Sequence, residues 1–110
     1  MKVFDLSEMT KGWFVGDFSP SVLRLGESEA AVKKYKAGDY EPMHHHKISS
    51  EITVIAEGVV KMNGQTYCAN SILLIEPNEA TDFLAVTDVI TMVIKFPGAN
   101  DDKYLGTANA

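Results

Sequence analysis

Three residues in the middle of the chain combine metal-binding side chains with a suitable spacing: His44, His46 and Glu51. In an extended strand His44 and His46 point to the same face, about 7 Å apart, and two imidazoles at that spacing can bind one ion. His45 points to the opposite face. Glu51 follows a short turn and reaches the same ion if the next strand lines the same interior. Two histidines and one carboxylate leave coordination positions open for water or substrate.

Two simpler interpretations of the histidine run remain open. Consecutive histidines can lie on a solvated strand edge, or they can act as a weak chelating tract of the kind used in expression tags. The run is internal and only three residues long, which argues against a tag. The carboxylate at a turn-compatible distance favours a metal site.

These residues are expected to lie on or next to β-strands. Turn signals recur every 8–12 residues, and Asn63-Gly64 is the strongest hairpin signal in the chain. Helical periodicity is weak, with a single turn expected over residues 5–11. The pattern predicts an all-β sandwich or barrel. The predicted strands cover residues 13–15, 22–25, 30–36, 51–62 with Gly58 as a bulge or bend, 65–68, 71–76, 82–86 and 89–96.

The segment that begins at Gly38 resembles the first sequence motif of the cupins. Gly38, five residues, His44-x-His46, four residues, Glu51, six residues and Gly58 match that motif without a gap. The resemblance covers roughly residues 30–96. It implies a single antiparallel cupin barrel, also described as a double-stranded β-helix or jelly roll, that binds a divalent metal through the two histidines and the glutamate.

The second cupin motif is degenerate. Pro77 is in place, but Ser71, Glu79 and Asp82 stand where the family has glycine, glycine and the fourth ligand, histidine. Asp82 is therefore predicted as a metal ligand or general base, with Glu51 as the other catalytic carboxylate. A hydrogen bond from Asp82 to substrate, or an ordinary turn carboxylate, is the alternative. The expected cofactor is a divalent transition metal (Mn, Fe(II), Ni or Zn), because carboxylates suit such ions.

Four further residues are candidates for the lining of a substrate pocket: Tyr35, Tyr40, Met62 and Lys95. Each has an alternative interpretation. The tyrosines can be half-buried core aromatics, the methionine can fill a gap in the barrel, and the lysine can be exposed near the end of its strand. A one-residue slip in register would reverse the direction of each side chain.

The bulk composition limits the class of protein. The 110 residues fit one domain, 1–110, with a barrel core over 30–96, N-terminal strands in 1–29 packed on it and a polar tail over 97–110. A net charge of −5 disfavours nucleic acid and anionic membranes as partners. The single cysteine, Cys68, and the absence of a long apolar run lead us to expect a cytoplasmic protein.

Three functions fit these features. The first is a stand-alone cupin that binds a metal and a small sugar-like or carbonyl-like molecule, as a metal-dependent isomerase, oxygenase or lyase. The second is a non-catalytic cupin that binds a small ligand, with a weakened or absent metal site. The third is a dimerising scaffold, which leaves the histidine and glutamate spacing unexplained. A homodimer is expected in each case, by analogy with other small cupins.

Overall fold

The structure, a computed structural model, describes residues 1–108 and is built from short strands. One turn of 3-10 helix, Leu6–Glu8, precedes them within the predicted helical segment. The ten strands within these residues are β1 Trp13–Val15, β2 Glu29–Tyr35, β3 Tyr40–His45, β4 Ser50–Glu57, β5 Val59–Met62, β6 Gln65–Cys68, β7 Ile72–Ile75, β8 Ala80–Ala85, β9 Val89–Phe96 and β10 Tyr104–Leu105.

The strands form two five-stranded antiparallel sheets, which we call sheet A and sheet B. Sheet A has the order β1-β2-β9-β4-β7, and sheet B has the order β10-β3-β8-β5-β6. The core lies between them, because both sheets contribute to one buried apolar cluster. Sheet A supplies Ile55 and Val89 to that cluster, and sheet B supplies Val60, Met62, Phe83 and Ala85. The prediction of an all-β double-stranded β-helix is confirmed.

The predicted strand 51–62 is divided at Gly58. Its first part, β4, belongs to sheet A, and its second part, β5, belongs to sheet B. Gly58 has φ of +95°, a conformation that side chains with a Cβ rarely adopt. The predicted bend at this glycine is therefore the point at which the chain crosses from one sheet to the other.

Two other local predictions have different outcomes. The Asn63-Gly64 turn joins β5 to β6 as expected, with positive φ at both residues and Met62 paired with Gln65. The predicted strand over residues 22–25 is wrong, because that segment makes only an isolated bridge between Val15 and Leu23. Its backbone is held against β1 by two hydrogen bonds, from the Val22 N–H to the Phe14 carbonyl and from the Gly16 N–H to the Leu23 carbonyl.

The C-terminal segment returns to the barrel. Strand β10 pairs with β3, so that Tyr104 lies opposite His45 and Leu105 lies opposite His44. The expected polar tail, 97–110, thus contains a short strand, and its last two residues lie outside the described part of the chain. Within residues 1–108, no helix is long and apolar enough to cross a membrane.

Candidate functional site

A cavity of about 250 Å³ lies between the inner faces of the two sheets, above the apolar core. Three of its lining residues are His44, His46 and Glu51, so the three predicted residues line the same cavity. Around them are carboxylates (Glu41 and Glu79), lysines (Lys11, Lys33, Lys95 and Lys103), hydroxyl groups (Thr53, Thr81, Thr91 and Tyr35) and apolar or aromatic side chains (Trp13, Met62, Ile75, Phe83 and Val93).

Backbone carbonyls orient both histidine rings. The Nδ1 of His44 lies 2.9 Å from the carbonyl oxygen of Pro42, and the Nδ1 of His46 is hydrogen-bonded to the carbonyl of Asp102. A carbonyl only accepts, so each Nδ1 carries the proton and each Nε2 is left to face the cavity. The rings stand edge to face with centroids 5.6 Å apart. Burial is the main reason that the pKa of His44 is lowered, which favours its neutral, ligand-competent form.

Glu51 lies beside His46 at the start of β4. Its Oε1 is 3.5 Å from the Nε2 of His46, and its Oε2 accepts a hydrogen bond of 3.0 Å from the hydroxyl of Thr53. Burial raises the pKa of the Glu51 carboxyl, but the hydrogen bond and charge of His46, with the charge of Lys95 and the Thr53 bond, outweigh it. The pKa therefore lies below its usual value, and the carboxylate is ionised at neutral pH.

His46 consequently has an acceptor on each side of its ring. The Asp102 carbonyl faces Nδ1 and the Glu51 carboxylate faces Nε2. Such a ring either carries two protons as an imidazolium or presents Nε2 to a cation that the carboxylate also contacts. The arrangement suits a positive charge between His46 and Glu51.

Asp102 holds the loop that carries His46. Its carboxylate accepts backbone N–H bonds from Lys47 at 2.9 Å, Ile48 at 3.0 Å and Ser49 at 2.9 Å. The Asp102 side chain is 4% exposed. Burial raises its pKa, but the three N–H groups outweigh burial and the pKa is lowered. The sequence gives no local signal for this role, because the partners lie more than fifty residues apart.

Asp82 does not join the site. Along β8 the side chains alternate, with Thr81 and Phe83 lining the cavity and Asp82 on the other face. The Asp82 carboxylate accepts the backbone N–H of Asn63 at 2.8 Å and the hydroxyl of Tyr40 at 3.3 Å. The structure therefore corrects the expectations that Asp82 is a ligand or base and that Tyr40 lines the pocket.

The other predicted pocket residues, Tyr35, Met62 and Lys95, do line the cavity. The Tyr35 hydroxyl donates a 3.0 Å hydrogen bond to Glu41, and burial, followed by the charge of Glu41, raises the Tyr35 pKa. Lys95 points inward despite lying near the end of β9, because it is in the same alternating row as Thr91 and Val93.

Sequence reasoning missed three of the cavity lysines. The missed lysines are Lys11, Lys33 and Lys103. A usable signal exists for Lys33, because a Lys33-Lys34 pair inside a strand must direct one ammonium to each face. Lys103 lies between Asp102 and the first residue of β10, and no periodic pattern marks it.

The three ligand candidates do not form a closed metal cluster. Within residues 1–108, no three His, Cys, Asp or Glu side chains are arranged to hold a metal ion. His46 and Glu51 lie together, while the His44 ring stands at nearly a right angle to the His46 ring, with 84° between their planes. Binding of one ion by all three therefore requires a rearrangement of these side chains.

Solved structures share the architecture. A double-stranded β-helix protein from Klebsiella pneumoniae superposes with a TM-score of 0.71 over 96% of this chain and 92% of that chain, at 18% identity. An RmlC-like cupin from Shewanella frigidimarina gives a TM-score of 0.62 over 69% and 71% of the two chains, at 20% identity. The protein has the cupin fold. No protein-family model and no curated protein matches the sequence.

One similar cupin structure is of an enzyme. The DMSP lyase DddQ from Ruegeria pomeroyi gives a TM-score of 0.66 at 16% identity, with 84% of this chain covered. This chain spans about half, 49%, of that one. At such identities the likeness shows the cupin fold alone, and function has to be argued from the cavity.

Proposed function

We propose that the protein is a cupin that binds one divalent transition metal through His44, His46 and Glu51, and a small polar molecule beside the metal. The ion is one of Mn, Fe(II), Ni or Zn. The small molecule is sugar-like or carbonyl-like, and turnover as an isomerase, oxygenase or lyase is the catalytic form of this proposal.

The observation that carries the proposal is the position of His46 between two acceptors. Its Nδ1 is used by the Asp102 carbonyl, and its Nε2 faces the ionised Glu51 carboxylate. A metal ion between the His46 Nε2 and the Glu51 carboxylate would supply the positive charge that this pair requires. His46 would then not need a proton on both ring nitrogens. The Pro42 carbonyl prepares the Nε2 of His44 in the same way, since an acceptor on Nδ1 fixes the tautomer and orientation of a metal-binding histidine. The donor set therefore fits a transition metal.

The chain's own residues define what the cavity can do. A bound ion supplies Lewis acidity, which polarises a carbonyl or hydroxyl oxygen of the ligand. Of the two predicted catalytic carboxylates, Glu51 is in the cavity, and Asp82 is not carried into the proposal. Tyr35 and Glu41 share a hydrogen bond beside the site, where they can orient a polar ligand. Met62 and Phe83 of the apolar cluster are also lining residues, so part of the cavity wall is apolar.

A second candidate is a cupin that binds its ligand without turnover. The observation in its favour is that the cavity face of β8 presents Thr81, and not a fourth ligand, beside the histidines. A site with three ligands that must rearrange before they can bind is expected to hold metal more weakly than a complete one.

The test is elemental analysis of untagged protein purified without chelator. Wild type is compared with the His44→Ala/His46→Ala double variant and with Asp82→Asn, which changes a carboxylate outside the cavity. About one equivalent of a transition metal is expected in wild type and in Asp82→Asn, and none in the double variant. Folding of each variant is checked by circular dichroism.

Two outcomes decide between the candidates. No metal in wild type, even after loading with Mn, Fe(II), Ni and Zn, would overturn the metal site. Metal in wild type with stabilisation by sugars or carbonyl compounds, but with no product formed from any of them, would favour the non-catalytic cupin. A ligand at 100 times its dissociation constant raises the free energy of unfolding by about 2.7 kcal/mol, which a thermal melt detects.

The proposed assembly is a homodimer through the outer face of sheet A. Register places two apolar rows on that face: Ala30, Ile94, Ile52 and Leu74 in one, and Val32, Met92, Val54 and Ile72 in the other. Ile72 and Leu74 are 70% and 59% exposed. These two rows carry no charged side chain, so this part of the face can pack against its own copy about a two-fold axis. Neither nucleic acid nor membrane is proposed as a partner, and the cytoplasm is the proposed compartment.

A further inference from the structure

One wall of the cavity is unusually cationic. Lys33, Lys95, Lys103 and Lys11 all line it. The Nζ atoms of Lys33 and Lys95 lie 5.3 Å and 4.9 Å from the centroid of the Trp13 ring. Two ammonium groups therefore share one indole, which orients both towards the same part of the cavity.

The register of sheet A explains this arrangement. Trp13 on β1 pairs with Ala31 on β2. The Ala31 side chain is small and fully buried, so there is room for the indole next to it. Lys33 lies one inward position further along β2, opposite Thr91. Lys95 lies on β9 opposite Glu29 on one side and Glu51 on the other. The two lysines approach the indole from adjacent strands, so the wall is built by backbone pairing and not by flexible loops.

The wall's positive charge is only partly balanced. Among residues 1–108, the one ion pair made by these four lysines joins Lys33 to Glu41, with 4.0 Å between Nζ and Oε1. Lys11 and Lys103 are exposed to solvent, whereas the partly buried Lys95 makes no ion pair within the described residues, and keeping an ammonium group partly out of water is costly unless an anion contacts it. Burial is also the largest cause that lowers the pKa of Lys33. A ligand with a negative group would supply the missing partner.

A second observation points to the same place. Thr91 is 1% exposed, lines the cavity opposite Lys33, and its hydroxyl has no hydrogen-bond partner within the described chain. Buried hydroxyl groups are normally hydrogen-bonded, and an unpartnered one needs an explanation. An acceptor in the cavity would satisfy it.

We propose that the cavity takes a small organic carboxylate, whose anionic group is received by Lys33, Lys95 and the Thr91 hydroxyl beside Trp13. The inference rests on the proposed function in taking the cavity as the ligand site. A volume of about 250 Å³ admits only a small molecule. The lining contains no arginine and no glycine-rich loop among the described residues, so the donor sets that most often cradle phosphate are not present.

The chain supplies its own reporter, because Trp13 is its single tryptophan. Tryptophan fluorescence is followed while metal-loaded and chelator-treated protein are titrated with 2-hydroxy acids from glycolate to gluconate. Each acid is paired with its uncharged alcohol, from ethylene glycol to glucitol, and inorganic phosphate and sodium chloride are titrated separately. The titrations are repeated with Lys33→Gln, Lys95→Gln and Thr91→Val. The matched control is Lys61→Gln, since Lys61 is exposed on β5.

The expected result is saturable binding of at least one acid, with its alcohol binding at least tenfold more weakly. Loss of a hydrogen bond to a charged group should raise the dissociation constant about tenfold in each of the three site variants, with no change in Lys61→Gln. Thr91→Val is the most discriminating variant. Removal of a hydroxyl without a hydrogen-bond partner should weaken ligand binding but should not lower the melting temperature.

Three results would overturn the proposal: no acid binds better than its alcohol, phosphate binds better than every acid, or the site variants bind like Lys61→Gln. Because fluorescence reports on Trp13 with or without metal, the two proposals fail separately. Carboxylate binding to a protein that takes up no metal would leave this inference standing and remove the metal site. Metal uptake without carboxylate binding would do the reverse.

Discussion

His46 Nδ1 is hydrogen-bonded to the main-chain carbonyl of Asp102, a residue 56 positions further along the chain. The carboxylate of the same aspartate accepts the backbone N–H groups of residues 47–49. One residue therefore fixes both the ring of a proposed ligand and the loop that leads from it to Glu51. The C-terminal segment is part of the site, although it lies outside the cupin motif.

Exchange of Asp102 for asparagine should weaken both functions of this residue. An amide presents one oxygen to three N–H donors and turns its own NH₂ towards one of them, so Asp102→Asn should lower the free energy of unfolding by about 2 kcal/mol. Metal affinity should fall about tenfold, because the Asp102 segment would hold the His46 ring less firmly. The measurements are urea unfolding and a metal titration. Asp101→Asn, the same change at the exposed neighbour, should alter neither, and equal effects in both variants would contradict the role of Asp102.

The same carboxylate should make stability depend on acid pH. The pKa of Asp102 is lowered from 3.8 in the folded state, so its contribution is fully present well above pH 3.8 and is lost as pH falls through the lower, folded value. Glu51, lowered from 4.5, acts in the same direction. Urea unfolding from about pH 7 to pH 3 should show wild type losing more stability than Asp102→Asn. Parallel curves for the two proteins would show that the carboxylate is not linked to folding.

His45 should separate structure from metal binding within the histidine run. Its ring is buried, its Nδ1 lies 2.8 Å from the carbonyl oxygen of Gly106, and it stacks on Tyr104 with centroids 5.5 Å apart. His45→Ala should therefore loosen β10 and lower the free energy of unfolding by about 1–3 kcal/mol. The metal content of the folded protein should be unchanged, in contrast to His44→Ala. Loss of metal from folded His45→Ala would contradict the assignment of the run.

Much of this site could be predicted from the sequence, because side chains alternate between the two faces of a strand. His44 and His46 were expected on one face and His45 on the other, because side chains alternate along a strand. The structure places them so, with the first two in the cavity and His45 against the C-terminal segment. The sequence alone did not decide whether Lys95 points into the cavity. Its pairing with Glu51 in the structure decides that it does.

The errors arose where register or long-range contacts decide the outcome. Asp82 was assigned by counting from Pro77 along the second motif, and the register of β8 places Thr81 at the cavity instead. Such a one-residue offset reverses the face of a side chain. Asp102 could not be found, because its partners are contributed by a distant loop and no local pattern reports such a contact.

The two turn glycines with positive φ around β5 should respond differently to alanine. At Gly58 a Cβ would lie 2.2 Å from the carbonyl oxygen of Asp88, in addition to the backbone strain at φ +95°. At Gly64, with φ +77°, a Cβ meets nothing within 4 Å. Gly64→Ala should cost about 1 kcal/mol of unfolding free energy from strain alone, and Gly58→Ala about 3 kcal/mol or more. Equal costs in urea unfolding would show that β4 and β5 do not depend on this close approach.

The proposed dimer should be broken by one charge on sheet A. Leu74 is 59% exposed in the apolar row on β7, whereas Leu105, 75% exposed, lies on β10 of sheet B. Burying an unpaired carboxylate between two apolar faces is strongly unfavourable, so Leu74→Glu should convert the dimer to a monomer in sedimentation velocity. Leu105→Glu should stay dimeric. Two results would contradict an interface through sheet A: a wild type that is monomeric at all concentrations, or a dimer that is lost only in Leu105→Glu. The exposed apolar rows would then have to bind another partner.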